Sequence, residues 1–394
     1  MIDTELLRDP CARTATPVLS FDSARSLAVQ HGTPLLVTSR SRLVRNYWEM
    51  KQAMPGVDLY YAAKANPAPV ILEALAAEKA FVDVCSAGEM VAALAAGFTP
   101  DRMLHTHPCK TEDNFRQCYD AGLRWFVYDS ESEAEKIASW STDVNLTSEV
   151  NLLLRLAITA QSSKINLSAK FGAPVEDVAS LLEAASRRRL NVRGFSFHVG
   201  SQCVSPEDYC IAIAKVREVW DLATRMGFVL SVLDIGGGFP APYRDDVPST
   251  DSFCGVIWRG LQEHFGRMNV RFLAEPGRGL CAESTTLVTK VIGKSKRWGM
   301  PWYFIDDGIY NSFSGIMFDH GDFPILFESS GDRPVAAGVI AGPTCDSGDV
   351  VCRDQEMPDL EVGELLMVPC MGAYAGASAC PFNGLPVAKS VLIA

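Results

Sequence analysis

Eight short apolar runs, each followed by an amphipathic helical pattern, constrain this chain more than any other feature. LYYAAKA, AFVDVCS, RMLHTH, RWFVYDS, NLLLRLAI, VRGFSFHVG, LSVLDIGGG and VRFLAEPG are rich in aliphatic and aromatic residues and stop at polar or glycine positions. Between them lie helical patterns such as PAPVILEALAAEK, where Ile71 and Leu75 stand four apart, and PVEDVASLLEAASRRR, where Val178, Leu181 and Leu182 share a face. Strict alternation of strand and helix predicts parallel strands joined by helical crossovers. Eight such units predict an α/β chain closed into a (β/α)8 TIM-like barrel.

The polar residues at the ends of those runs come from distant parts of the chain. Lys64 closes LYYAAK, Asp83 sits in AFVDVCS, Arg155 in LLLRL and His198 in VRGFSFHV; Gly236, Gly237 and Gly238 end LSVLDIGGG, and Glu275 ends VRFLAE. A parallel barrel gathers such positions at the carboxyl ends of its strands, where active sites of this architecture form. Lys64 follows an apolar strand, and a confined amine loses part of its preference for the charged form and is freed for Schiff-base chemistry. A strand-end lysine taken alone also reads as one reaching solvent. Its companions favour the first reading: the glycine run lets backbone N–H groups approach a phosphate, and Glu275-Pro-Gly-Arg278 adds a carboxylate and a fixed cation at the next strand end. Lysine, imidazole, phosphate-sized loop and carboxylate together suggest pyridoxal phosphate.

From about residue 279 the texture changes to strand-like pieces, STTLVTKVIGKSK, PWYFIDDG, VAAGVIAG and ELLMVPCMG, separated by Gly, Pro and Asp turns. Residues 279–394 together with 1–35 therefore read as a second, all-β domain, and 36–278 as the barrel, with the chain leaving that domain and returning to it. PLLVTS (34–39) reads as a strand and SRLVRNYWEMKQAM as a serine-capped helix, while SSGDRP (329–334) reads as a surface turn.

A net charge of −11, with no basic run longer than Arg187–Arg189, speaks against a nucleic-acid partner. The opening MIDTELLRDPCART lacks the apolar core of a secretory signal, and no apolar stretch reaches membrane-spanning length. The 12 cysteines are scattered without CxxC pairs or metal-ligand spacing, so reduced thiols in a cytoplasmic protein without a metal are expected. His105 and His107 in LHTHP are two apart but have no third ligand, and read as structural or rim residues. His198 alone reads equally as a structural histidine. Cys345, in the turn-rich AGPTCDSGD, is one thiol among many, yet a loop cysteine among polar groups can serve as proton donor or nucleophile.

YYAAKAN, VDVCSAGE, LSAKFGA, FSFHVGSQC, LDIGGGFP, AEPGR, YNSFSGIMFDH, GPTCDSGD and MGAY followed by FNG, in this order over residues 60–384, closely resemble the fold type III decarboxylases that use pyridoxal phosphate. The ornithine decarboxylase group resembles them most. The resemblance implies an alanine racemase-like barrel with a β-domain, and a head-to-tail homodimer with shared active sites. It implies that Lys64 carries the cofactor covalently, that Glu275 pairs with the pyridine nitrogen and that His198 stacks on the ring. Asp83 and Arg155 would sit near the lysine and the ring hydroxyl. Ser201, Gly236, Gly237, Gly238, Gly277, Arg278 and Tyr374 would hold the phosphate. Cys345, Asp346 and Tyr374 would reach across from the second subunit, with Cys345 reprotonating the substrate. Alanine racemases place an arginine where this chain has Glu275; the glutamate is the decarboxylase residue, which strengthens the cofactor as an electron sink.

The same resemblance implies that Asp319 and Asp346 bind the far ammonium of a basic amino acid, L-ornithine first, with lysine, diaminobutyrate, diaminopimelate or a specialised-pathway amino acid as alternatives. Phe318 replaces a tyrosine common in ornithine enzymes, the SGD of GPTCDSGD is shared with diaminopimelate enzymes, and LHTHPCK has histidines where relatives carry small or amide residues. Some relatives are non-catalytic binding proteins that lose the lysine or the loop cysteine; this chain keeps both.

Overall fold

A helix cap sets where one barrel strand of this chain ends. After AFVDVCS, Ser86 accepts a hydrogen bond from the Glu89 N–H at 3.2 Å while Glu89 reaches back to the Cys85 N–H at 2.7 Å. This reciprocal cap starts the helix Ala87–Ala95 immediately beyond the strand. Thr111 and Ser249 cap the helices Glu112–Asp120 and Thr250–Phe265 by accepting from the Asn114 and Ser252 N–H groups. In the helix Glu207–Arg225, Tyr209, Ala212, Ile213, Val216, Val219, Trp220 and Ala223 form the buried stripe. The computed structural model describes residues 12–142, 149–328 and 333–394. Most of the opening segment and of the SSGDRP turn lies outside the described residues.

The described strands are Leu35–Ser39 (β1), Val57–Ala62 (β2), Phe81–Val84 (β3), Met103–His105 (β4), Trp125–Tyr128 (β5), Asn151–Leu156 (β6), Ser163–Ile165 (β7), Asn191–Phe197 (β8), Ser201–Cys203 (β9), Val232–Asp234 (β10) and Arg271–Ala274 (β11). Eight of them, β2, β3, β4, β5, β6, β8, β10 and β11, close a barrel in that order, and β11 pairs with β2 in parallel to complete the ring. These are the eight runs read from the sequence. Tyr60, Leu104, Val127, Leu153, Val232 and Leu273 fill the centre. Gly194 on β8 is required by closure, because a Cβ there would overlap the Val232 carbonyl oxygen on β10. Lys110, fully buried after β4, donates to the carbonyls of Val127 (2.6 Å) and His107 (3.0 Å) and pairs with Glu133 at 2.9 Å. That buried pair ties the β4 loop to β5 and to the helix Glu131–Thr142.

The chain divides into two units: Asn46–Pro240 with Pro248–Gly279, and the described residues before Asn46 with Ala241–Val247 and Leu280–Ala394. The second unit adds Thr285–Arg297 (β12), Met300–Ile305 (β13), Leu326–Phe327 (β14), Val335–Ala341 (β15), Val350–Pro358 (β16), Leu365–Val368 (β17) and Lys389–Ile393 (β18). Its sheet runs β14-β17-β12-β13-β15-β16, with β1 between β12 and β18. Residues 36–39, expected at the start of the barrel, instead complete β1 of this sheet, which pairs with β12 from Leu35↔Val288 to Thr38↔Thr285.

The separate β-domain is present and also carries a helix not read from the sequence, Phe21–His31, capped by Ser20. Ala24, Phe21 and Leu27 pack on Leu35, Val37, Val288 and Met367 of the sheet. The helix covers one sheet face, as an apolar sheet surface requires. Glu283, 3% exposed, holds Arg13 at 2.6 Å and also pairs with Arg42.

Gly194→Ala should destabilise the protein by about 3 kcal/mol or more, since neither the β10 backbone nor the barrel can yield locally. Gly255→Ala, inside a helix with its nearest neighbouring atom at 3.6 Å, should stabilise by about 0.5–1 kcal/mol. Denaturant unfolding of the two variants checks the contrast, and comparable effects would contradict it.

Candidate active site

Lys64 follows β2 in a single tight turn, Ala63–Ala65. The turn is held from below: Tyr61 donates to the Asn66 carbonyl at 2.9 Å and the Asn66 side chain accepts from the Ala68 N–H at 3.0 Å. Lys64 Nζ lies 3.2 Å from Asp83 Oδ2 on β3, and Asp83 is fully buried. Thr106, just past β4, donates to the other Asp83 oxygen at 2.6 Å.

At the end of the neighbouring strand, Glu275 follows β11 and its N–H donates to the Gly236 carbonyl at 2.8 Å. Asp234 at the end of β10 accepts from the Gly236 N–H at 2.9 Å. Glu275 is 6% exposed and Asp234 fully buried. Burial pushes the Glu275 carboxyl well above its usual range, and the neighbouring Asp234 and Asp83 push it further. Asp234 is pushed up too, again chiefly by burial. Asp234 thus opposes ionisation of Glu275, while Lys64 favours the ionised form of Glu275 and Arg155 that of Asp234.

His198, just beyond β8, accepts from the Gly200 N–H through Nδ1 at 3.0 Å. Burial, with the charges of Arg155 and Lys64, holds its pKa well below the ordinary value, so the ring is neutral and carries its proton on Nε2. Gly237 lies against this ring: a Cβ there would stand 2.6 Å from the Glu275 carbonyl oxygen and 3.0 Å from His198 Nε2. Gly236 and Gly238 take φ of +67° and +112°. Their loop is anchored through its carbonyls, Gly237 accepting from Tyr209 and Gly238 from the Cys203 N–H, both at 2.9 Å. Arg278, 5% exposed, donates to Ser201 Oγ at 3.0 Å. Gly277 brings the loop after β11 against Ala65 beside Lys64, where a Cβ would be 2.8 Å from the Ala65 Cβ. The Arg155 guanidinium stands 5.3 Å from the Phe171 ring centroid. His105 is buried on Asn114 at 2.9 Å, while His107 is half-buried with its ring edge to Phe171.

In the β-unit, Cys345 is exposed on the loop after β15, and its N–H donates to Asn383 Oδ1 at 3.1 Å. Asp346 accepts from the Tyr310 hydroxyl and from the Gly348 N–H at 2.9 Å, and these bonds hold its carboxyl below the usual range. Tyr310 stacks on Phe382 with centroids 4.1 Å apart. Asp349, 2% exposed, accepts from Ile309 N–H (2.9 Å) and Thr344 N–H (3.1 Å), knotting this loop to the one before Tyr310. Asp319 ends the one-turn helix Gly315–Phe318, and Phe318 is 74% exposed. Tyr374 takes φ +55°, and its carbonyl accepts from Ser378 at 2.9 Å.

The barrel therefore brings together Lys64, Asp83, His198, Glu275, Arg278, Ser201 and the glycine loop. The β-unit separately gathers Cys345 and Asp346 with Tyr310, Phe382 and Asn383. Thr106, Asp234, Tyr310, Asn383 and Asp349 were not singled out from the sequence. Asp234 and Thr106 obey the same strand-end rule as Lys64; Tyr310 and Asn383 come from turns whose contacts carry no local signal.

Residues 40–282 match the family described as pyridoxal-dependent decarboxylase, pyridoxal binding domain. The chain belongs to this family. It is 36% identical to a lysine/ornithine decarboxylase of Selenomonas ruminantium, over 95% of this chain and 93% of that protein. Two solved structures of a lysine/ornithine decarboxylase from Vibrio vulnificus are similar throughout. The complex with putrescine has a TM-score of 0.86 at 36% identity, covering 95% of this chain and 99% of that one. The complex with cadaverine has 0.88 at 37%, covering 95% and 100%.

Pyridoxal phosphate fits what this family member presents. A protonated pyridine nitrogen would add a cation beside the buried Glu275–Asp234 pair, and the loop at Gly237–Gly238 with Arg278 offers backbone and guanidinium donors of the kind a phosphate needs.

In the β-unit, Asp307 accepts from the N–H groups of Gly308 (2.7 Å) and Ser312 (2.9 Å), and burial pushes its carboxyl up to about 7. In the unfolded chain an aspartate titrates near ~3.9. The folded state thus binds the extra proton between these values, and stability falls as pH rises from about 4 to about 7. Asp307→Asn should flatten that fall in melting temperature. An unchanged slope would remove Asp307 from the account.

Proposed function

We propose that this decarboxylase acts on a basic L-amino acid bearing a distal amine, converting L-ornithine to putrescine, with lysine as the alternative substrate. One observation carries the reading of the barrel site: a lysine at a buried aspartate, facing a buried glutamate that needs a cationic partner. When bound, pyridoxal phosphate accepts the electron pair left as carbon dioxide departs. Lys64 is proposed to bond the cofactor, with Asp83 as counter-anion beside it and Arg155 near the ring hydroxyl. Glu275, with Asp234 behind it, keeps the ring nitrogen protonated. His198 offers a neutral flat face to the ring. Ser201, Gly236, Gly237, Gly238, Gly277, Arg278 and Tyr374 hold the phosphate, and Cys345 Sγ returns a proton to the α-carbon.

For the substrate, Asp346 is the supporting residue: its hydrogen bonds keep it anionic on an exposed loop. Asp319 is proposed to share the distal ammonium, with Phe318 beside it. The names of the relatives, lysine/ornithine decarboxylases, support the same class. Cys345 and Phe318 are exposed, which supports a homodimer in which Cys345, Asp346 and Tyr374 serve the partner's site. A cytoplasmic location is in keeping with the free thiols and with the absence, among the described residues, of a helix long and apolar enough to cross a membrane.

Carbon dioxide release from a panel of diamino acids tests the substrate. Ornithine or lysine should be turned over efficiently and diaminopimelate poorly; the reverse order would overturn the reading. Asp346→Ala should lower kcat/KM for the preferred substrate by roughly a hundredfold while leaving the cofactor's spectrum intact, because the ammonium loses its partner. Mixing inactive Lys64→Ala with inactive Cys345→Ala subunits should restore part of the activity. No recovery after proven subunit exchange would count against shared sites.

A further inference from the structure

Thr106 stands one residue beyond β4 and is 3% exposed. Its hydroxyl meets Asp83 Oδ1 at 2.6 Å, while Asp83 Oδ2 meets Lys64 Nζ at 3.2 Å. The carboxylate is thus divided, one oxygen to a hydroxyl and one to the amine. The terminal torsion of an aspartate is broad, so a donor that fixes one oxygen fixes the direction of the other.

The need for such a fix comes from the surroundings. Glu275 after β11 and Asp234 on β10 both act electrostatically on Asp83. Glu89, from the helix beyond β3, does so as well, and Cys85 feels both Glu89 and Lys64. The cation on Asp83 is Lys64 itself; Arg155 on β6 acts on Asp234 and His198, and His198 stays neutral. Whatever charge these neighbours carry repels Asp83, and the Thr106 hydroxyl is the donor that holds it in its present place.

We propose that Thr106 is a positioning residue for decarboxylation: its hydroxyl holds Asp83 turned so that Oδ2 remains the counter-anion of the Lys64 nitrogen. The inference rests on the reading of Lys64 as the cofactor-bonding lysine. An adjacent anion favours the protonated state of a nitrogen. Without the Thr106 hydroxyl the anion is no longer fixed, and the nitrogen gives up its proton at lower pH.

The test is a pH titration of the visible band of the lysine-bound cofactor in the holoenzyme. Thr106→Val, which keeps the shape and removes the hydroxyl, should lower the midpoint by about one pH unit. Thr106→Ser should restore the wild-type midpoint. A Val variant titrating like wild type, or a Ser variant shifted as far as Val, would overturn the proposal. If Thr106→Val does not fold, Thr106→Ala takes its place with the same expected shift. Borohydride reduction and peptide mapping of the wild type separate the two layers. A cofactor found elsewhere than Lys64 removes the reading and the proposal together, whereas a cofactor on Lys64 with an unshifted midpoint removes only the role of Thr106.

Discussion

Glu275 is a carboxyl group whose ionisation the fold opposes. It is buried at the end of β11, beside the fully buried Asp234 and within the field of Asp83. Removing a carboxylate from water costs several kcal/mol unless a cation or donors replace the solvent. The barrel does not fill that place with an arginine; it leaves a carboxyl in need of a proton-bearing partner. A pyridine nitrogen held there stays protonated, and a protonated ring draws electrons from a bond breaking elsewhere on the cofactor. On the proposed role of Glu275, the chemistry of decarboxylation follows from this local electrostatic arrangement.

The remaining parts of the barrel site support that arrangement. The Gly236 carbonyl and N–H bind Glu275 and Asp234 respectively, so the glycine loop and the acidic pair are one unit of backbone. The lack of a side chain at Gly237 lets the same loop lie against His198. The cap formed by Ser86 and Glu89 closes the strand that carries Asp83, and the turn at Asn66 closes the one that carries Lys64. Each functional group is thus held by a strand end whose geometry is settled by hydrogen bonds a few residues away, which gives the precision that loops alone do not.

The barrel was legible because its strands are buried on both faces and therefore read as continuous apolar runs with abrupt polar ends. All eight closing strands, and the strand-end positions of Lys64, Asp83, Arg155, His198 and Glu275, came from that contrast. Other elements gave weaker signals. β16, VVCRDQEMP, lies at the edge of its sheet and carries charges, which hide a strand in a hydropathy pattern. Phe21–His31 reads as part of a β-domain because its apolar face is narrow, and the sheet it covers decides its state. Asp349 and Tyr310 matter through contacts with residues far along the chain, and Thr106 is one hydroxyl in a segment where two histidines draw the eye.

The residue proposed to recognise the substrate's far end lies in the β-unit, where Tyr310 and Gly348 keep Asp346 anionic and Asp349 ties its loop in place. The central claim nevertheless lies in the barrel, in the pairing of Glu275 with the ring nitrogen. Nitrogen NMR of the holoenzyme loaded with cofactor isotopically labelled at that nitrogen measures its protonation directly. The account predicts a protonated ring at neutral pH in the wild type and loss of that proton in Glu275→Gln. An unprotonated ring nitrogen in the wild type, or a protonated one that persists in the variant, would contradict it.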